Sequence, residues 1–218
     1  MARRAVRTIS EHLDLSRVLK KPEEFPTPWD SKTVFGRCAP LELEIGSGKG
    51  LFLRRVADQF PEHDFIGVEI GQKYARFSAA GLCNRNNNNA VIVCGDAAQF
   101  LKEQIPDNFL EAVHVYFPDP WWKRAHRKRR ILRLEVLQLI EQRLRPEGMF
   151  HFWTDVEEYF LSTLKLLATG TSFLGPFEVP EKEAEHDFDY KTHFERRTRL
   201  HGEKVYRTTF RKSPIKNL

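Results

Sequence analysis

Cysteine is scarce in this chain: three in 218 residues. Cys38, Cys83 and Cys94 form no C-x-x-C pair, so they supply too few ligands at the wrong spacing for a structural zinc site. So sparse and odd a set points to a reducing compartment, expected to be the cytoplasm. Long apolar runs are also missing. No stretch approaches the ~18 apolar residues of a membrane helix. The opening MARRAVRTISEHLDL has basic residues but no apolar core behind them, so neither a membrane span nor a secretory signal is expected. Two methionines stand against seventeen phenylalanines, which implies a core of large aromatics. Twelve glycines and twelve prolines are ordinary numbers and exclude a collagen-like or low-complexity chain.

What is present suits one globular domain of 25.6 kDa. Apolar residues at 41% and charged residues at 30% allow a real core and exclude a wholly disordered chain. The net charge of +5 and pI near 9.1 suggest an anionic partner such as nucleic acid. Residues 1–38 are polar, basic and broken by Pro22, Pro26 and Pro28, and read as an arm or cap outside the main fold. From residue 39 to 218 a rhythm sets in. Strands are expected at 41–45, 65–70, 91–94, 112–117 and 149–153, with a last one at 205–211. Helices are expected at 51–60, 73–82, 97–104, 131–144 and 156–168. Short apolar runs alternating with amphipathic helices predict an α/β fold around a mostly parallel sheet. In such sheets the chemistry lies beyond the carboxyl ends of the strands.

Those ends carry a coherent set of acids. After the first strand comes Glu44-Ile45-Gly46-Ser47-Gly48-Lys49-Gly50, where alternate glycines let backbone approach a ligand closely. The second strand ends at Glu69, suited to a ribose diol. The third ends at Asp96, suited to an adenine amine. A P-loop is excluded because Gly50, not Ser or Thr, follows Lys49, and the dinucleotide pattern G-x-G-x-x-G fails by one place at Leu51. The fourth strand ends in Phe117-Pro118-Asp119-Pro120-Trp121-Trp122. The two prolines fix the direction of the Asp119 carboxylate, and the tandem tryptophans offer faces for base stacking, worth about 1–3 kcal/mol per base. Lys123, Arg124, Arg127, Lys128, Arg129, Arg130 and Arg133 follow, with no acid among them. A basic run beside aromatics at this edge favours nucleic acid over a merely solvated face. The fifth strand ends in Thr154-Asp155, where Asp155 also fits a helix N-cap. Thr192-His193-Phe194-Glu195-Arg196-Arg197 reads by itself as an exposed loop. His114 and His151 lie inside apolar strands and read as core or edge residues, His126 as part of the basic face, and Cys94 as a small buried residue.

Together these residues resemble a family. E-x-G-x-G-x-G is similar to the first motif of class I methyltransferases. F-P-D-P-W with its Lys and basic stretch, then T-D, then T-x-F-E, resemble in order the bacterial tRNA (guanine-N7-)-methyltransferases, from about residue 40 to 210. The resemblance implies a Rossmann-like class I methyltransferase fold, a mostly parallel twisted sheet with helices on both faces. It implies S-adenosyl-L-methionine as methyl donor and guanine 46 in the variable loop of tRNA as acceptor. Glu44, Gly46, Gly48, Glu69, Asp96 and Asp119 take the cofactor-binding positions, with Asp119 also catalytic. Lys123, Asp155, Thr192, His193, Phe194 and Glu195 take the substrate-binding positions. The chain departs from the pattern at His193, where the family usually has Lys, and at Trp122, where it often has Pro or His.

Guanine N7 already carries an in-plane lone pair, so the implied reaction is direct displacement on a sulfonium methyl, with no base, cysteine nucleophile or metal required. Asp119 or Asp155 would stabilise the ring as it gains positive charge. Three other readings compete. Asp119-Pro120-Trp121 faintly resembles the motif of methyltransferases acting on exocyclic base amines. A non-catalytic RNA-binding protein and a nicotinamide-dependent oxidoreductase are the others.

Overall fold

The computed structural model describes residues 6, 9–10, 12–85, 88–180 and 190–214. Its centre is an eight-stranded sheet in the order β1-β4-β3-β2-β5-β6-β8-β7. The strands are β1 (Leu19–Lys20), β2 (Leu41–Ile45), β3 (Asp64–Glu69), β4 (Ala90–Cys94), β5 (Leu110–Tyr116), β6 (Leu144–Thr154), β7 (Leu174–Glu178) and β8 (Tyr206–Arg211). Pairing is parallel from β1 through to β6 and antiparallel where β8 meets β6 and β7. The helices are α1 (Ser31–Phe35), α2 (Leu51–Gln59), α3 (Gln72–Cys83), α4 (Ala97–Gln104), α5 (Leu134–Arg143), α6 (Glu157–Gly170) and α7 (His193–Leu200). This is the Rossmann-like α/β architecture expected of the sequence. None of these helices is long and apolar enough to cross a membrane.

The helices divide the core in two. On one face α4, α5 and α6 bring Phe100, Leu137, Ile140 and Tyr159 against Leu43, Val113, Phe150 and Phe152 of the sheet. On the other, α2 and α3 bring Phe52, Leu53, Ala75 and Ala79 against Phe65 and Ile92. That second face turns polar towards β5, β6 and β8. Residues in register share a face, and here the registers Glu44 with His114, His114 with His151, Tyr116 with Trp153 and Trp153 with Arg207 line up. A strand whose alternate positions are Glu42 and Glu44 cannot lie on an apolar floor, and His63 and His114 supply the partners of Glu42.

Several boundaries differ from the expectation. The helix expected from Ile131 begins at Leu134, and β6 begins at Leu144 instead of Met149. Leu144 pairs with Leu110 before a register shift carries the ladder on to Ala112 and Met149. Residues Thr192 to Arg197, expected as an exposed loop, belong to α7 and its cap. Strand β7, exposed along its length, lacks the apolar alternation that reveals strands in a sequence.

The N-terminal segment was expected to stand outside the main fold. Residues 1–5, 7, 8 and 11 of it lie outside the described residues. Of the rest, β1 extends the sheet beside β4 and Val18 is fully buried. Phe25 joins the larger core, stacked on Trp29 at 5.8 Å and edge-on to Phe100 at 5.0 Å. Phe25→Ala should therefore cost about 3–5 kcal/mol of stability in urea unfolding, as for a phenylalanine in any packed core; a loss well under about 1 kcal/mol would place the segment at the periphery.

Candidate active site at the carboxyl edge of the sheet

The turn after β2 and the turn after β3 are tied together by one carboxylate. Glu69, at the end of β3, is buried. Its Oε2 accepts the Gly48 N–H and its Oε1 the Gly71 N–H, both at 2.8 Å. Gly46 N–H is held by the Val68 carbonyl at 2.8 Å. Gly46, Gly48 and Gly50 all have positive φ, at 80°, 53° and 69°. At Gly50 the requirement is steric as well, since a Cβ there would meet the Ser78 hydroxyl at 1.9 Å. The chain thus enters α2 in a conformation that excludes other residues, and backbone lines the turn.

Beneath this turn lies Glu44, on the polar face of β2 and only 3% exposed. Its Oε2 has no hydrogen-bond partner. Burial pushes its carboxyl up to about 8, the nearby Ser47 hydroxyl pulls it down, and the Glu69 carboxylate pushes it up again. A buried carboxyl with one oxygen unpartnered is costly, and a cationic group fits it. Asp96 follows at the end of β4. It is exposed, and its Oδ1 caps α4 by accepting the Gln99 N–H at 3.0 Å.

Beyond β5 the backbone is forced. Phe117 and Trp121 have φ of +50° and +45°, a region costly for side chains with a Cβ. Asp119 lies between them, exposed. Arg130 holds this loop from below. Its Nε donates to the Pro120 carbonyl at 2.8 Å, its Nη2 to Glu158 at 2.5 Å, and its guanidinium lies 4.4 Å from the Tyr159 ring. Arg130 is buried and is therefore a brace of the loop and not part of the exposed basic run. Lys123 precedes a 3-10 helix over Arg124–Arg129 and is exposed with Arg124, Arg127, Lys128 and Arg129. The tandem tryptophans separate in role. Trp121 is covered by Arg129 at 5.1 Å and meets His126 edge-on, whereas Trp122 is 65% exposed.

Asp155 follows β6, half-buried. Burial raises its carboxyl, and Glu203 adds to the rise while Arg197 opposes it. It is not the N-cap of α6: that position is Val156, whose N–H is taken by the Thr154 hydroxyl at 3.2 Å. Thr192 caps α7 by accepting the Glu195 N–H at 3.0 Å. Glu195 is buried, and its Oε2 accepts the Lys191 N–H at 2.6 Å. Phe194 lies on Phe117 at 5.3 Å, with the Arg197 guanidinium 4.2 Å from its ring, and His193 is exposed. The fold therefore brings together Glu44, Gly46, Gly48 and Glu69 as one cluster, and sets Phe194 against Phe117 at the start of the Asp119 loop. Asp96 and Lys123 stand at the outer ends. Sequence reasoning missed Arg130 as a brace, and it missed Lys191 and Tyr116, which carry no motif. Among the described residues no group of three or more His, Cys, Asp or Glu is placed to hold a metal ion.

Glu44 sets a pH dependence of stability. Its folded carboxyl titrates near 8, far above an unfolded carboxylate near 4.3. The native state thus holds a proton that the unfolded chain releases, and stability from this group is present at low pH and lost as pH rises through 8. Glu44→Gln should match the wild type in Tm near pH 5 and exceed it at pH 9. An unchanged Tm difference across that range would mean that Glu44 is ionised in the folded protein throughout.

Comparison with known proteins adds the family. A family model described as "Putative methyltransferase" matches residues 38–208. A tRNA (guanine-N(7)-)-methyltransferase of Rhodopirellula baltica is 46% identical over 97% of this chain and 80% of its own. One from Yersinia enterocolitica is 34% identical over 85% and 77%. Among solved structures, the 16S rRNA methyltransferase KamB superposes with TM-score 0.61 at 16% identity, covering 84% of this chain and 92% of that one. An O-methyltransferase of Thermotoga maritima superposes at 0.54 and 15% identity, covering 83% and 62%. The structural likenesses establish the fold, and the sequence relatives establish that the chain belongs to the tRNA (guanine-N(7)-)-methyltransferase family.

Proposed function

We propose that this protein transfers the methyl group of S-adenosyl-L-methionine to N7 of guanine 46 in the variable loop of tRNA, in the cytoplasm. One observation carries the reading. A glycine turn over a buried carboxyl with an unpartnered oxygen shares a sheet edge with the strained Asp119 loop, which α7 abuts through Phe194. The first arrangement fits a small molecule that ends in a cation. The second fits a flat base. When bound, S-adenosylmethionine supplies an electrophilic methyl on a sulfonium.

Each residue has a definable task. Glu44 presents Oε2 to an ammonium. Gly46 and Gly48 offer backbone at close range. Glu69, set by the N–H groups of Gly48 and Gly71, places a carboxylate where a ribose diol would meet it. Asp96 faces solvent, where an adenine amine would reach it. Asp119 adjoins both the donor and the target base, and its prolines hold its direction. Because N7 needs no deprotonation, these side chains only orient the base and stabilise its growing positive charge. Lys123, Asp155 and the segment Thr192, His193 and Phe194 face the RNA, while Glu195 holds that segment from beneath. Residues 39–218 correspond to the methyltransferase domain, and the described residues of the N-terminal segment are built into its sheet and core through β1 and Phe25.

Two measurements test the reading. Labelled S-adenosylmethionine and unmodified tRNA should yield 7-methylguanine in the variable loop, and Asp119→Ala should lower kcat/KM by about a hundredfold or more. Methylated adenine in the product would point to the exocyclic-amine reading, and binding without transfer to the RNA-binding one. In tRNA binding, log K should fall against log salt with a slope of roughly −3 if the basic run grips about four phosphates. Replacing Arg127, Lys128 and Arg129 by Ala should flatten it, and a slope that does not change would move the RNA surface elsewhere.

A further inference from the structure

Lys191 precedes α7 and belongs to none of the motifs. Its ammonium nonetheless sits among three aromatic rings from three elements: Phe52 of α2 at 5.8 Å, Tyr116 of β5 at 5.6 Å and Trp153 of β6 at 5.3 Å. A cation over several ring faces is held electrostatically, more strongly where water is kept away, and here Phe52, Tyr116 and Trp153 are all buried. Lys191 Nζ also donates to the Tyr116 hydroxyl at 3.5 Å. Its backbone N–H is fixed by the buried Glu195 carboxylate, which Arg199 and Arg207 approach at 3.4 and 3.8 Å.

The chain of contacts continues under the sheet and has one consistent direction. Glu42 accepts from His63 Nδ1 at 2.6 Å and His114 Nε2 at 2.7 Å. Burial raises its carboxyl, but the hydrogen bonds from His114 and His63 oppose this, and it is held below its usual value. An ionised carboxylate only accepts, so His114 carries its proton on Nε2. Burial pushes the His114 imidazole below its usual value against the pull of Glu42, leaving Nδ1 as acceptor. The Tyr116 hydroxyl, 3.0 Å away, therefore donates to His114 and turns its oxygen lone pairs to Lys191. The Tyr116 oxygen thus has one orientation, and Lys191 one seat.

We propose that Lys191 is a positioning residue for methyl transfer: its ammonium, seated among Phe52, Tyr116 and Trp153, locks the Thr192–Glu195 segment to the ends of β5 and β6, and so keeps Phe194 on Phe117 beside the Asp119 loop. The proposal rests on the functional reading above. With the lock released, the segment keeps its helix but loses its alignment with Asp119, and a shift of about 1 Å at a reacting centre is enough to cost about a hundredfold in rate.

The test uses the full chain and unmodified tRNA. Lys191→Met keeps the length and removes the charge, Lys191→Arg keeps the charge, and Tyr116→Phe removes only the hydroxyl. Lys191→Met should lower kcat at least about tenfold while KM for S-adenosylmethionine stays within about twofold. Lys191→Arg should recover most of the loss. Amide exchange over residues 193–200 should rise in the Met variant and stay unchanged in β5. Tyr116→Phe should give a smaller loss in the same direction, and adding it to Lys191→Met should cost little more, because the two act through one contact. The proposal is overturned if Lys191→Met matches the wild type, or if its loss is shared by cofactor binding and unrelieved by Arg. Should the Met variant not fold, full activity of Tyr116→Phe overturns it. A wild-type protein that transfers nothing to guanine N7 refutes the functional reading instead, and the exchange comparison still decides whether Lys191 holds α7.

Discussion

The Glu69 carboxylate is the constraint on which the active edge depends. It sits at the end of β3 and receives the backbone N–H groups of Gly48 and Gly71, so two turns from two strands are set by one side chain. The arrangement works because the parallel register places Val68 beside Ile45, which brings the ends of β2 and β3 level. With the glycine turn fixed in this way, Glu44 is covered. Covering it keeps a carboxyl out of water with an oxygen unpartnered, a state tolerated only where the surrounding structure imposes it.

A second feature follows from the two faces of the sheet. The face under α4, α5 and α6 is built of Phe, Leu, Val and Tyr and serves stability. The face under α2 carries Glu42, Glu44, His114, Tyr116, His151 and Trp153 on three adjacent strands. Most of its polar atoms are satisfied by one another: Glu42 by two histidines, His114 by Tyr116, and His151 by Thr209 at 3.1 Å. Networks of this kind, when satisfied, fix orientations that apolar packing leaves free. Here they orient the side chains that end at the carboxyl edge of the sheet, so the polar face links the frame of the sheet to the segment from Thr192 to Glu195.

The Asp119 loop shows the same economy. Its two left-handed residues, Phe117 and Trp121, are strained; Phe194 packs on the first, and Arg130 holds the Pro120 carbonyl next to the second. In the sequence Arg130 is indistinguishable from the neighbouring arginines of the basic run. Only its position over Tyr159 and against Glu158 separates the buried brace from the exposed cations around it. Trp121 and Trp122 are likewise equivalent in sequence, and Arg129 covers only the first.

The sequence by itself determined the α/β rhythm, the parallel strands and the acids at their ends, because side-chain periodicity and glycine spacing are local properties. It also marked Asp119, since prolines on both sides fix a backbone direction without help from the rest of the fold. Tertiary structure decided what depended on distant partners. Phe25 entered the core because Phe100 and Trp29 lie beside it. The T-x-F-E segment became a helix with a buried glutamate because β8 brings Arg207 to it. Glu44 acquired its raised titration because its burial takes it out of water and a carboxylate from the next strand repels its charge. Lys191 found its seat because α2, β5 and β6, far apart in the chain, converge where it lies. Burial and long-range pairing are properties of the folded chain, and no local pattern of residues records them.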